Sequence, residues 1–445
     1  MSDQDGSARR HAFPGAILMG AQGRLIPYHI PLRFFVAATV FHLVAWLLLA
    51  AGHSAVAGFA GGPGMALAAL HALTLGVLAM TVMGASYQLL NVAMGTAVKS
   101  LFLCRLSSWL YIPGVVALVT GMAIVNVHIM MLGGILVVAG LTIFGFIIAD
   151  MFRRSIALKM TVRHGWAALV CLALLAVAGL LLMADFEHGF LGASVFPGHS
   201  NLAVGHAILG GFGFMGLMVM GFSYILIPMF TLSPAPDDRV SGRSFVLVLG
   251  GLVIAVSGAL TGSAPAMLIA AVIGLGGVGL HLSLMIKALR GGMKKKLGLS
   301  FVMIRAGWVL LPLSIIIGGL AASGLQDSVP PPLFGFILIF GWLLTFLTGI
   351  LQRILPFLAS MHAHKLGKRA PRLSDMGHQG VTLNLHAVCH GIALVMVSVG
   401  IIGNFDTLIL TGGVIGSIGA AAFLWFALDV SWRVVSFYTG NKTTT

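Results

Sequence analysis

Apolar stretches long enough to cross a bilayer recur from one end of this chain to the other, and the solvent that tolerates them decides the fold. They fall near 32–52, 65–94, 107–126, 129–150, 164–184, 200–230, 244–262, 265–288, 303–322, 332–360, 379–402 and 407–438. About 20 consecutive apolar residues span the hydrocarbon as a helix. Only 8% of the 445 residues are charged, against roughly 25% in a soluble domain, so this surface cannot all face water. In lipid every backbone group must be paired internally, which leaves helices and closed barrels. The runs are continuous rather than alternating, which selects helices. The expected fold class is an all-α integral membrane protein with about twelve transmembrane helices.

The loops give an independent check. With the N-terminus in the cytoplasm, the even-numbered loops hold Lys99 and Arg105, then Arg153, Arg154 and Lys159, then Arg239 and Arg243. Lys294, Lys295 and Lys296 follow, and finally Lys365, Lys368, Arg369 and Arg372. The odd-numbered loops carry no Lys or Arg, only Asp185, Glu187, Asp327 and Asp406. That is the positive-inside distribution, and it places both termini in the cytoplasm. The formal net charge of +14 is therefore a topology signal, and no nucleic-acid partner is expected. Cys104, Cys171 and Cys389 have no paired spacing, so neither a disulfide framework nor a thiolate metal site is indicated. The first thirty residues lack the apolar core of a cleavable signal. The expected division is a cytoplasmic segment 1–31, one transmembrane domain 32–438 and a cytoplasmic tail 439–445. A bacterial inner membrane is the expected location, with lipid as the principal partner.

Three segments share one pattern: Gly84-Ala-Ser-Tyr87-Gln-Leu-Leu-Asn91, Gly221-Phe-Ser-Tyr224-Ile-Leu-Ile-Pro228 and Gly349-Ile-Leu-Gln352-Arg-Ile-Leu-Pro356. Each lies on the second helix of a block of four, at intervals of 137 and 128 residues. The first helix of each block opens with an arginine at the inner face: Arg33, Arg163 and Arg305. Membrane composition explains each feature singly but not their shared place, so three pseudo-repeated four-helix arcs are expected, near 32–152, 163–290 and 303–438.

That arrangement resembles the haem-copper oxidase catalytic subunit, which also has twelve spans and both termini inside. The segments His71-Ala-Leu-Thr-Leu-Gly and Met220-Gly-Phe-Ser-Tyr-Ile-Leu-Ile-Pro-Met-Phe look like those of the NnrS family, haem- and copper-containing membrane proteins linked to nitric oxide handling. The resemblance implies a haem, b-type by expectation, with copper as a second cofactor, and an electron donor or respiratory complex as partner. It also implies that His71 is an axial haem ligand and that His206 binds copper. The departures are large. Ala207, Ile208, Leu209 and Gly210 follow His206 where the oxidases have Pro-Glu-Val-Tyr. The seventh helix has no histidine, and the tenth has none in its interior. Oxygen reduction by the oxidase mechanism is therefore not expected.

Sixteen histidines are sorted by depth. His11, His29, His164, His362, His364 and His378 lie in inner loops or at inner helix ends, where a solvated imidazole is the ordinary reading. His53, His128, His188 and His199 lie near the outer face. Asp185, Glu187, His188 and His199 share a loop that could hold a divalent ion, although a solvated loop is the commoner case. His42, His71, His206, His281, His386 and His390 are buried, and an imidazole in hydrocarbon needs a partner. For any one of them a hydrogen bond to a neighbouring helix explains it as well as a metal does. With the tenth-helix ligands missing, a haem on His71 would need His390, His386 or His42 as its second ligand. The metal candidates apart from the haem are His206, for copper, and His199, for an ion at the outer loop.

Among the other polar groups, Arg353 is expected to snorkel to the inner headgroups, and Asp429 to pair with Arg433 four residues on. Tyr87 and Tyr224 are expected to stabilise helix breaks. Packing is the default role for the 23 methionines. The function expected is a haem-binding membrane protein of respiratory or nitric oxide metabolism. The competing classes are a transporter or metal-handling permease without haem and a scaffold subunit that has lost its site.

Overall fold

The computed structural model describes residues 24–192, 196–324, 329–366 and 379–439. Arg9, Arg10, His11, Asp327, Lys368, Arg369, Arg372 and His378 lie outside them. The described residues form twelve helices long and apolar enough to span a membrane. In chain order they are α1 (His29–Ala51), α2 (Met65–Ala93), α3 (Leu101–Ala123), α4 (Val127–Arg154), α5 (Lys159–His188) and α6 (His199–Thr231). They continue as α7 (Asp238–Thr261), α8 (Ala264–Gly291), α9 (Leu299–Ala322), α10 (Pro331–Lys365), α11 (Gly380–Gly403) and α12 (Asp406–Thr439). Both α3 and α7 start six residues earlier than the apolar pattern, and α7 starts in the polar loop. The Asp237 carboxylate accepts from the amides of Arg239 and Val240, both at 2.9 Å, and so caps the first turn. Those amides, Val240 first, hold the carboxyl below its usual range.

Three helices form the centre. In α10, 89% of the most apolar stretch is buried, against 28% in α7; α2 and α6 are the next most buried. These three are also the helices that contain π-helical stretches: Ala72–Ala79 and Ser86–Leu90 in α2, Leu209–Gly216 in α6 and Ile337–Leu343 in α10. The stretches at Ala72, Leu209 and Ile337 begin 137 and 128 residues apart, the same intervals that separate Gly84, Gly221 and Gly349. All three pack against one another. A π turn widens the helix, and such turns concentrate at functional places in membrane and soluble proteins alike.

Around this centre α1 packs on α2 and α12, α5 on α6 and α4, and α9 on α10 and α8. Gly84, Gly221 and Gly349 mark where each inner helix crosses its outer neighbour. A Cβ on them would lie 2.9 Å from Phe34 Cβ, 2.9 Å from His164 Cβ and 2.8 Å from the Ser300 carbonyl oxygen. Arg33 and Arg163 precede the facing residue by one, whereas Arg305 follows Ile304, so the third arginine is out of register with the other two.

The remaining helices form tight hairpins, α3–α4, α7–α8 and α11–α12. Each turns through one left-handed residue, Val125, Gly262 or Asn404. Each is closed by an amide that reaches back five residues: Asn126 to Gly121, Ser263 to Gly258 and Phe405 to Gly400, all at 2.8 Å. The left-handed residues lie 137 and 142 residues apart. The large aliphatic and aromatic side chains left outside, such as Phe146, Val272, Val381 and Trp425, face the lipid that a helix bundle of this kind requires.

Candidate functional site

Three of the buried histidines come together. His42 of α1 and His386 of α11 have ring centroids 5.5 Å apart, and His386 and His390, one turn apart on α11, are stacked at 5.6 Å. Trp46, one turn after His42, lies 6.1 Å from the His390 ring, and Phe423 of α12 closes the other side. All three imidazoles are buried.

Their hydrogen bonding is incomplete. His386 Nδ1 donates to the Gly419 carbonyl at 3.2 Å, which leaves the lone pair on Nε2, and Nε2 is buried with no partner. His390 Nε2 is bonded to the Thr345 hydroxyl of α10 at 2.7 Å, while its Nδ1 is unpaired. Both nitrogens of His42 and the Trp46 indole N–H are also buried without partners. Buried polar atoms are almost always satisfied, and each orphan costs about 1–3 kcal/mol. Five in one seam call for an explanation.

Packing does not supply it, because the other two hairpins make the same crossing without imidazole at the places of His386 and His390. Ser107, Ser244 and His386 each stand 33 residues before the glycine they face: Gly140, Gly277 and Gly419. Ser244 Oγ donates to the Gly277 carbonyl at 2.8 Å, as His386 does to that of Gly419. A Cβ on Gly140 would lie 3.1 Å from the Ser107 carbonyl, and one on Gly419 3.2 Å from that of His386. One turn on, Tyr111, Val248 and His390 are counterparts. The fold accommodates a serine and a tyrosine or valine there equally well.

His71 and His206 form a separate pair, with ring centroids 6.4 Å apart and planes 26° from parallel. His71, expected to face α11 or α1, thus lies against α6. His199 is two helical turns before His206, about 10 Å along the axis, so the two cannot share one ion. Its Nδ1 is bound to the Asp185 carboxylate at 2.6 Å. Among the described residues no three His, Cys, Asp or Glu side chains surround a single ion position, and this includes the loop of Asp185, Glu187, His188 and His199.

A third cluster was not legible as one. His164, expected to be solvated, is fully buried between Tyr224 and Phe245. Gly221 lets α5 and α6 approach closely enough to cover it. The Tyr224 hydroxyl is bonded to His281 Nδ1 at 3.1 Å, and the Tyr87 hydroxyl to Ser107 at 2.8 Å. Both tyrosines therefore stitch helices together, Tyr87 from within the π stretch Ser86–Leu90. His362 is also buried and bonded to Tyr438. Arg353 reaches the loop before α9: its Nε donates to Ser300 Oγ at 2.7 Å, it also bonds the Leu297 carbonyl, and it caps Phe301. Asp429 pairs with Arg433 at 3.0 Å, as expected.

Compared with protein-family models and with curated proteins, the sequence matches none.

Proposed function

We propose that this polytopic helical membrane protein binds a metal cofactor, haem iron first and copper second, with its protein ligands drawn from the buried imidazoles of His42, His386 and His390. The observation that carries the reading is the set of unpaired buried nitrogens at a seam where the counterparts of His386 and His390 are serine, tyrosine and valine. It fits the donor chemistry of haem iron and of copper, since neutral imidazole serves both. The resemblance to the haem-copper oxidase catalytic subunit and the NnrS family, with three four-helix arcs, supports the same reading. So do the recurring intervals of the π stretches and of the hairpin turns.

The surrounding residues have definite work in such a site. Gly419 fixes the tautomer of His386, so that Nε2 is the nitrogen free to bind metal. Thr345 orients His390 from the central helix. Trp46, Phe340 and Phe423 exclude water, which sharpens every electrostatic interaction inside. A bound haem iron or copper would supply one-electron chemistry and an open position for a small molecule such as nitric oxide. An electron donor in the same membrane is the partner this requires, and bacterial respiratory or nitric oxide metabolism is the setting.

The test is the absorption spectrum and metal content of the detergent-purified chain. A Soret band that shifts on dithionite reduction, or stoichiometric copper, is expected, and His42→Ala or His386→Ala should remove it. A colourless, metal-free protein overturns the proposal in favour of a permease without haem. One feature already favours that second reading: an apolar pocket at the inner ends of α2, α6 and α10, lined by Gln88, Val92, Phe222, Met229, Phe357 and Met361.

A further inference from the structure

The inner end of α8 breaks a charge pattern that the other two hairpins keep. At the hairpin intervals of 137 and 142 residues, Asp150 of α4, Lys287 of α8 and Asp429 of α12 are counterparts. Four residues on, the counterparts are Arg154, Gly291 and Arg433. Asp150 pairs with Arg154 at 2.7 Å and with Lys99 at 2.8 Å, and Asp429 pairs with Arg433 at 3.0 Å. The middle hairpin has a lysine in place of the carboxylate. Its neighbours do not supply one, because the sequence holds no Asp or Glu from 239 to 326 or along α10. Asp237 feels the Lys287 charge but is committed to the first turn of α7.

Arg353 of α10 enters this uncompensated place. Its Nε and Nη2 are held by the Ser300 hydroxyl and the Leu297 carbonyl, which fix the guanidinium without neutralising it. Lys294 is the second cation, with its backbone anchored to the Thr231 carbonyl at 3.1 Å. Burial first, and the Arg353 charge second, hold the Lys294 ammonium below its usual range. Among the described residues neither cation has a carboxylate partner. Charges drawn out of water are ordinarily paired, and here two of one sign are pressed together. The fold does not require the arginine, since its counterparts in α2 and α6 are Gln88 and Ile225. Membrane topology explains cations on this side of the bundle, but not why this hairpin alone lacks the aspartate.

An anion is the missing partner, and its place in the bundle selects the kind. A guanidinium beside an ammonium is a donor set suited to phosphate. The two lie where α8, α9 and α10 end on the inner side, and Lys295 and Lys296 are exposed on the same loop. Ile286 of α8 and Val302 of α9, 40% and 59% exposed, begin the apolar surface next to it, where acyl chains lie. Basic groups between helix ends at this level attract anionic lipid headgroups. We propose that Arg353 and Lys294 bind the phosphate of one anionic phospholipid at the inner end of the bundle. The site uses no histidine, so it and the metal-binding reading can fail separately.

Native mass spectrometry of the detergent-purified full chain, titrated with phosphatidylglycerol and separately with phosphatidylcholine, tests it. The wild type should hold one phosphatidylglycerol at concentrations where phosphatidylcholine is not retained. Arg353→Gln and Lys294→Gln, the latter in an exposed loop, should each weaken that binding about fivefold, the effect of one basic group at an anionic surface. Lys287→Asp/Gly291→Arg gives this hairpin the pair the other two have, and should weaken it as well; a side chain at Gly291 meets nothing within 4 Å. Lys159→Gln removes an inner charge elsewhere and should leave it unchanged. Inorganic phosphate in excess should not displace the lipid. Equal retention of the two lipids overturns the proposal, as does unchanged binding in Lys294→Gln or in the Asp–Arg variant. So does an equal loss in Lys159→Gln, which would mark a general charge effect, or displacement by inorganic phosphate, which would mark a soluble anion.

Discussion

Replacing His42 by leucine separates a ligand from a structural residue, because the two roles predict opposite signs. Both ring nitrogens of His42 are buried without partners, and each such atom costs about 1–3 kcal/mol. Leucine removes that penalty and fills most of the volume, with an imperfect shape match costing about 1 kcal/mol in return. The metal-free variant should therefore be more stable than the wild type, by about 1–5 kcal/mol. A cofactor held only by the folded wild type adds about 2.7 kcal/mol when its free concentration is a hundredfold above Kd. Unfolding in detergent, followed with and without a chelator, should show the order of stability narrowing or reversing when metal is present. If His42→Leu is less stable than the wild type by more than about 1 kcal/mol under chelation, and its metal content is unchanged, the imidazole is architectural and the reasoning fails.

Other outcomes test the packing and the topology. Gly349→Ala places a Cβ 2.8 Å from the Ser300 carbonyl and should destabilise by about 1–3 kcal/mol, whereas Gly145→Ala, with nothing within 4 Å, should be neutral in the same unfolding assay. Val125→Gly relieves a β-branched residue at φ 56°, where the counterpart is already Gly262, and should raise the thermal midpoint by the equivalent of about 1 kcal/mol. Tyr224→Phe strips His281 Nδ1 of its partner and should cost about 1–2 kcal/mol. Tyr87→Phe should cost less, because Ser107 keeps its bond to the Cys104 carbonyl. A cysteine at Gly192 should react with an impermeant maleimide in intact cells and one at Leu366 only after permeabilisation; the reverse result would invert the orientation.

The spans were legible because a bilayer fixes their length and charges fix their ends, so neither depended on knowing what packs on what. Gly84, Gly221 and Gly349 were legible as a set for a similar reason: a crossing with no room for a Cβ leaves its mark on the sequence. The hairpin counterparts were not, because the interval changes from 137 to 142 between Gly262 and Asn404, across the longer loop that joins α10 to α11. Histidine depth could be counted along each helix, but which way a ring faces round the axis could not. Hence His386 and His390 were found as an i, i+4 pair while the neighbours of His71 and His164 were not foreseen. Arg353 was read from its charge alone, and the carbonyl of Leu297 that holds it belongs to a loop 56 residues earlier.

The recurring intervals also separate architecture from chemistry in a way that burial cannot. Every buried histidine in this chain violates the usual economy of a membrane interior, so burial by itself ranks none of them. Tyr111 shows what a counterpart position does when it serves only the fold: its hydroxyl donates to the Leu75 carbonyl within the α2 π stretch at 3.0 Å, and no polar atom is left over. His390 occupies the same place on α11 and reaches α10 through Thr345, yet leaves Nδ1 open. His386 likewise makes the bond to Gly419 that Ser244 makes to Gly277, and then carries a second nitrogen that nothing meets. In both cases the bond the helix packing uses is made by one end of the ring, and the unused end is what a serine or tyrosine there does not have. Selection for packing alone has no reason to keep that end, whereas a metal ligand consists of nothing else.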